Sequence, residues 1–179
     1  MVLYLDLMSP YAYLAAARAE ALLGERPDFE PVLVGAIFAL RGSGSWGLTD
    51  ARADGMAECD RRATRYGLPP INWPPNWPSN SLHAMRVATL AKRAGAAHDV
   101  MQAIFRRAFI DGIDIADPAV ADAVAREHDV DPTITQDIKD ELRATTEAAY
   151  ARGVVGVPCL ERDGRIVYGD DRLEQLVAT

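Results

Sequence analysis

Cysteine is scarce in this sequence: Cys59 and Cys159 stand alone, about a hundred positions apart. A disulfide scaffold is thereby excluded, and so is any CxxC motif for redox chemistry or zinc. Histidine is almost as rare. His83, His98 and His128 are scattered without metal-ligand spacing, which speaks against a metal centre. No apolar run approaches the ~20 residues that a membrane span needs. Met1 to Asp6 has no basic stretch ahead of its apolar segment and an acid inside it, so it does not read as a signal peptide, and a cytoplasmic protein is expected. Positive charge is in deficit, with 19 basic against 26 acidic residues and a net charge of −7. Neither nucleic acid nor an anionic membrane suits that balance as the main partner. The glycine-rich stretch from Arg41 to Gly47 lacks the GxGxxG or Walker pattern of a phosphate cradle.

What remains is an ordinary globular composition, 49% apolar and 25% charged over 179 residues. That length fits one large domain, or a small domain with a long insertion. Val2–Leu7 is a short apolar run that predicts a buried strand. Ser9 has the side chain of an N-cap and Pro10 suits a first helical position, so a helix is expected over Pro10–Leu23, closed by Gly24. Its inner stripe is read as Tyr13, Leu14, Ala17, Ala21 and Leu22. Phe29–Val34 predicts a second strand, parallel to the first through a right-handed crossover. A proline-studded stretch at Leu68–Ser81 cannot be helix or central strand. Helical patterns cover about Asp50–Tyr66, Asn80–Ala94, His98–Phe109, Pro118–Glu127 and Thr133–Arg152. Val157–Arg162 and Ile166–Tyr168 form a hairpin about Asp163-Gly164, and Arg172–Ala178 is a last helix. With the helical block removed, βαβ–ββα remains. This α/β order is the thioredoxin arrangement, with residues 1–40 and 153–179 as the thioredoxin-like domain and 41–152 as an all-helical insertion.

Several segments carry a family resemblance. Tyr4-Leu5-Asp6-Leu7-Met8-Ser9-Pro10-Tyr11-Ala12-Tyr13-Leu14 resembles the opening of the 2-hydroxychromene-2-carboxylate isomerases and kappa-class glutathione transferases. Gly153-Val154-Val155-Gly156-Val157-Pro158 and Gly169-Asp170-Asp171-Arg172-Leu173 are similar to that family's C-terminal signature. Pro31–Gly35 and Trp73–Pro78 fall where it has comparable segments. The resemblance implies a DsbA-like thioredoxin fold, a homodimer, and glutathione or another small thiol as cosubstrate, with no metal. The implied activity is a glutathione-dependent cis–trans isomerisation of a small aromatic carboxylate. The alternatives are a kappa-like transferase and, against the absence of CxxC, a thiol oxidoreductase.

Each candidate residue has two readings. Ser9 is a plain helix cap, or it donates a hydrogen bond to a bound thiolate that the helix N-terminus also favours. The Val157-Pro158 bond is an ordinary trans bond, or, as the resemblance implies, a cis bond that frees Val157 backbone groups for an extended peptide. Val155 would line the same glutathione site. Asp170 and Asp171 cap the last helix, and the resemblance adds contact with the γ-glutamyl end of glutathione. Trp77 faces an aromatic substrate or covers the core. Arg52 binds a substrate carboxylate, in place of the family's asparagine and lysine that this chain lacks, or it is a solvated helix charge. Cys159 is read as a buried structural thiol, and Cys59 has no evident partner.

Overall fold

Four short strands form one mixed sheet in the order β2-β1-β3-β4, in a computed structural model that describes residues 1–176. β1 (Val2–Leu5) pairs parallel with β2 (Asp28–Pro31), Leu3 facing Phe29, and antiparallel with β3 (Cys159–Arg162), Tyr4 facing Cys159. β4 (Arg165–Tyr168) returns along β3. Between them Asp163 and Gly164 both take positive φ, 51° and 78°. A two-residue type I′ turn demands that geometry, and Asp-Gly adopts it readily.

α1 (Pro10–Leu23) makes the crossover from β1 to β2 within the bounds the sequence sets. The Ala12 N–H donates to the Ser9 hydroxyl at 3.2 Å, and Gly24 closes the helix at φ 71° with its N–H on the Glu20 carbonyl. The buried face differs from the expected stripe. Ala12, Ala15, Ala16 and Ala19 are buried beside Tyr13, Leu14 and Leu23, whereas Ala17 and Ala21 are exposed. α1 is packed by α3 (Arg52–Arg65), α5 (Ala97–Phe109) and a C-terminal 3-10 segment (Asp170–Leu176), so small alanines serve several close contacts and only the remaining side meets solvent.

The second strand is shorter than expected. It stops at Pro31, and Val34 opens a helix, α2 (Val34–Arg41), that the sequence reading missed. The run Val32–Leu40 is continuously apolar, and periodicity alone cannot tell a buried strand from a buried helix in such a run. The deciding group is distant in sequence: the Val34 N–H donates to the Asp6 carboxylate at 2.9 Å. α3, α4 (Leu82–Arg93), α5, α6 (Pro118–Glu127) and α7 (Gln136–Ala151) then follow before β3, and α4, α5 and α7 all pack on the edge strand β2. Tyr13 of α1 stacks on Phe109 of α5 with ring centroids 5.3 Å apart, tying the helical layer to the crossover helix. The expected helix Arg172–Ala178 is instead the 3-10 segment, starting two residues earlier at Asp170, and the end of that expectation lies outside the described residues. Among the described residues no helix is long and apolar enough to cross a membrane.

Candidate active site

Ser9 ends the loop that leaves β1 and begins α1, and it is 92% buried. Its oxygen accepts from Ala12, while its own proton meets no acceptor among the described residues. The hydroxyl is therefore a free donor at a helix N-terminus, where unpaired N–H groups already favour an anion. It opens into a cleft of about 110 Å³. Met8 lines the cleft from the same loop, Pro10 and Tyr11 from the first turn of α1, Val34 and Phe38 from α2, Trp46 and Trp77 from the segments on either side of α3, and Val157 and Tyr168 from the opposite side.

The Val157-Pro158 bond is cis. Ser9 and Val157 line one cleft, as the glutathione reading requires. Neither the N–H nor the C=O of Val157 is bonded among the described residues, whereas the Val155 carbonyl accepts from Arg41 at 2.6 Å and the Pro158 carbonyl from Gly169 at 3.0 Å. Gly156 allows the loop to lie against Tyr168, since a Cβ there would meet the ring at 2.9 Å.

Past Tyr11, Val157 and Tyr168 the cleft continues into a second depression bounded by Arg62, Pro158 and Gly169–Arg172. Asp170 lines it but is 99% buried: Arg62 Nη1 donates to it at 2.6 Å and the Tyr66 hydroxyl at 2.9 Å. Burial pushes its carboxyl up, against the opposing pull of Tyr66 and Arg62. Asp171 is half exposed and 3.7 Å from Arg62. Neither carboxylate caps a backbone N–H among the described residues, because the 3-10 segment already begins at Asp170. The capping expectation is therefore corrected for both. Of the pair, Asp171 is the freer to meet a ligand's ammonium, and Arg172 beside it has no acidic partner among the described residues.

Trp77 lies in the cleft wall, 97% buried, with its indole N–H on the Met8 carbonyl at 3.0 Å. The ring covers the core and also forms part of the cleft wall, so the structure leaves both expected readings standing. Arg52 is placed otherwise than expected. Its Nε and Nη2 donate to the Trp77 carbonyl at 3.1 and 2.7 Å, and it does not line the cleft. The guanidinium fastens the proline-rich loop from behind.

A model of the DSBA-like thioredoxin domain matches residues 1–179, the whole chain. The protein belongs to that family. Among solved structures it is similar to a 2-hydroxychromene-2-carboxylate isomerase, with a TM-score of 0.82 and 22% identity over 98% of this chain and 92% of that one. It is also similar to a probable DsbA oxidoreductase from Streptomyces coelicolor, with a TM-score of 0.67 and 20% identity over 98% and 87%. A cytosolic disulfide reductase, DsbM, from Pseudomonas aeruginosa aligns with a TM-score of 0.65 and 18% identity over 97% and 91%. At these identities the likenesses speak for the fold. No curated protein sequence matches.

This DSBA-like domain keeps both thiols out of its cleft. Cys159 is fully buried and its Sγ–H points to the Gly156 carbonyl at 3.1 Å; burial raises the thiol to about 11. Cys59, on α3 behind Tyr11, is also fully buried and pushed up to about 12, chiefly by burial and then by the nearby Asp170 charge. Both thiols are protonated at neutral pH, and the thiolate is the reactive form. The native protein is therefore expected to react negligibly with a disulfide reagent such as DTNB until denaturant is added, and then to release two equivalents. It should give no insulin reduction above background. Rapid labelling of a native thiol would place a sulfur in the cleft that the geometry keeps away. Among the described residues no cluster of three metal-ligating side chains forms.

Sequence reasoning missed several lining groups. Tyr11 was legible, being two residues past Ser9, but Trp46 sits in the glycine-rich stretch Arg41–Gly47, which was read only as lacking a phosphate-cradle pattern. Gly55 explains it, because a Cβ there would lie 2.3 Å from the Trp46 ring. A glycine inside the α3 pattern was the available sign of close packing. Phe38, Tyr168 and Arg62 come together only through the tertiary fold.

Proposed function

We propose that this DSBA-like domain is a glutathione-dependent isomerase acting on an unsaturated aromatic carboxylate of the 2-hydroxychromene-2-carboxylate type. The observation that carries the proposal is a free serine hydroxyl at a helix N-terminus, facing unpaired backbone groups of Val157 in a thiol-free cleft walled by Trp46, Trp77, Phe38 and Tyr168. A cleft of this kind holds a sulfur nucleophile that the protein does not itself supply. The cysteinyl unit of glutathione pairs with the Val157 N–H and C=O as an added strand pairs with an edge. Asp171 meets its γ-glutamyl ammonium. Ser9 and the helix N-terminus stabilise the thiolate.

The chemistry then balances without an oxidant. The thiolate adds to one carbon of the conjugated double bond, and the π pair moves onto the carbonyl system. Rotation about the resulting single bond follows, and return of the electron pair expels the thiolate unchanged. The protein's share is positioning and charge stabilisation. Aromatic walls suit a flat substrate.

Calorimetric titration of glutathione into the parent protein tests the binding step, and mass analysis of the product tests the reaction. Saturable binding and a product of unchanged mass are expected. A product heavier by one glutathione makes the protein a kappa-like transferase. Absence of binding at millimolar glutathione removes this reading.

A further inference from the structure

Asp6 is a buried carboxylate that the chemistry above does not use. It is 98% buried, and among the described residues no cation faces it. Buried charges are ordinarily paired, so an unpaired one calls for an explanation. Its partners are three donors from three different segments. Oδ1 accepts from the Met8 N–H at 3.0 Å and from the Ser81 hydroxyl at 2.8 Å, and Oδ2 accepts from the Val34 N–H at 2.9 Å. Its own carbonyl also accepts from the Ser9 N–H at 3.0 Å.

Each of these segments carries part of the Ser9 cleft. Met8 belongs to the loop that places Ser9, and its carbonyl holds the Trp77 indole. Val34 opens α2, whose Val34 and Phe38 side chains line the cleft. Ser81 ends the proline-rich loop that bears Trp77. We propose that Asp6 is a positioning residue for Ser9, its ionised carboxylate fastening the loop, α2 and the proline-rich segment into one cleft. Two of the three donors are backbone N–H groups that cannot turn round to accept. A protonated carboxyl keeps Ser81 only by turning that hydroxyl into an acceptor, and its neutral oxygens hold the two N–H groups more weakly than a carboxylate does, so acidification loosens the walls.

The ionisable residues on the surrounding segments do not pair with the Asp6 carboxylate, Arg86 of α4 among them, whose buried Nε has no partner among the described residues. Tyr4 of β1 bonds Glu161, Arg41 lies at the far end of α2 on the Val155 carbonyl, and His83 of α4 pairs with Asp122. The proline-rich loop has no charged residue between Leu68 and Ser81. Burial raises the Asp6 carboxyl, while its three donors oppose the rise. Solvent reaches it through an outer cleft, lined by Asp6 and Ser81, that shares Met8 and Val34 with the Ser9 cleft.

The test has two arms on the full-length protein. In the first, the Asp6 side-chain carboxyl carbon and the Met8 and Val34 amides are followed by NMR across pH. The carboxyl should titrate above the ordinary aspartate range, and both amides should shift with the same midpoint. Amides that ignore the Asp6 midpoint overturn the inference. The second arm rests on the proposed glutathione reaction and compares parent with Asp6→Asn. The variant's kcat/KM should be about ten- to a hundredfold lower near neutral pH, the scale of a small misplacement of reacting groups. That ratio should shrink toward one on acidification through the Asp6 midpoint, as the parent loses the same bonds; ionisation of the thiol affects both proteins and cancels. A ratio constant with pH marks a merely structural residue and overturns the inference. If the parent shows no glutathione-dependent turnover, the functional reading fails while the NMR arm still decides the fastening role. Should Asp6→Asn not fold, Ser81→Ala replaces it. Removing that one donor should move the Asp6 midpoint upward, and an unmoved midpoint overturns the inference.

Discussion

Ser9→Ala is expected to lower glutathione-dependent turnover by roughly ten- to a hundredfold near neutral pH while leaving the fold intact. The hydroxyl has two duties of different weight. As a helix cap it accepts from Ala12, and loss of a cap costs about 0.5–2 kcal/mol of stability. As a donor to a thiolate it makes a hydrogen bond to a charged group, worth about 1.5–3 kcal/mol. Each 1.4 kcal/mol is about a factor of ten in rate. The loss should diminish at higher pH, where glutathione ionises without help, so the variant's profile should move to the alkaline side. Measurement of kcat/KM against pH for both proteins decides it. A variant as fast as the parent leaves Ser9 as a cap and no more. Ser9→Cys is the companion, restoring a thiol in the cleft without a second cysteine beside it.

Arg62→Met should be strongly destabilising at neutral pH. Asp170 is almost fully buried and takes its charge balance from Arg62, whose side chain is 20% exposed. Removing one partner of a buried pair strands the other, at a cost of about 3–5 kcal/mol; the partial exposure of Arg62 puts the expected loss near the lower end, about 3 kcal/mol. For a chain of this length that is a fall of about 6–12 °C in Tm. The pH dependence has a definite sign. Burial already holds the Asp170 carboxyl above its unfolded value, and loss of Arg62 raises it further. Between the unfolded and folded values the native state binds more protons than the unfolded one, so stability falls as pH rises. The deficit should be largest above the folded-state value of Asp170 and shrink as pH falls through it, because a protonated Asp170 no longer depends on Arg62 for charge balance. Thermal melts of parent and variant over that window check it. A deficit independent of pH would mean that Arg62 acts by packing alone.

Much of the architecture was legible in the residues. Ser9-Pro10 at one end and Gly24 at the other fixed α1 because cap chemistry is local. Asp163-Gly164 fixed the hairpin for the same reason. α2 was missed because its start depends on a carboxylate 28 residues upstream, and no local pattern records that bond. Asp6 illustrates the converse, since in sequence it was only an acid inside an apolar run. For the candidate site, Ser9, Val157 and Trp77 were found and do share a cleft, because motif positions carry them. Arg52 was chosen for its charge, and charge alone does not say which carbonyl a guanidinium will take.

The chain has three tryptophans, and all of them sit in one cluster beside the cleft. Trp46 and Trp73 each lie 4.9 Å, centroid to centroid, from Trp77. Indole emission from this protein therefore originates at a single place, and rings so close exchange excitation before they emit. A thiol or flat aromatic entering the cleft should quench or shift that emission without any attached label, reporting occupancy directly. The same placement makes fluorescence a poor witness of the sheet and of α6, which carry no tryptophan. Unfolding followed by emission should be checked against far-ultraviolet dichroism before the two are taken to report one transition.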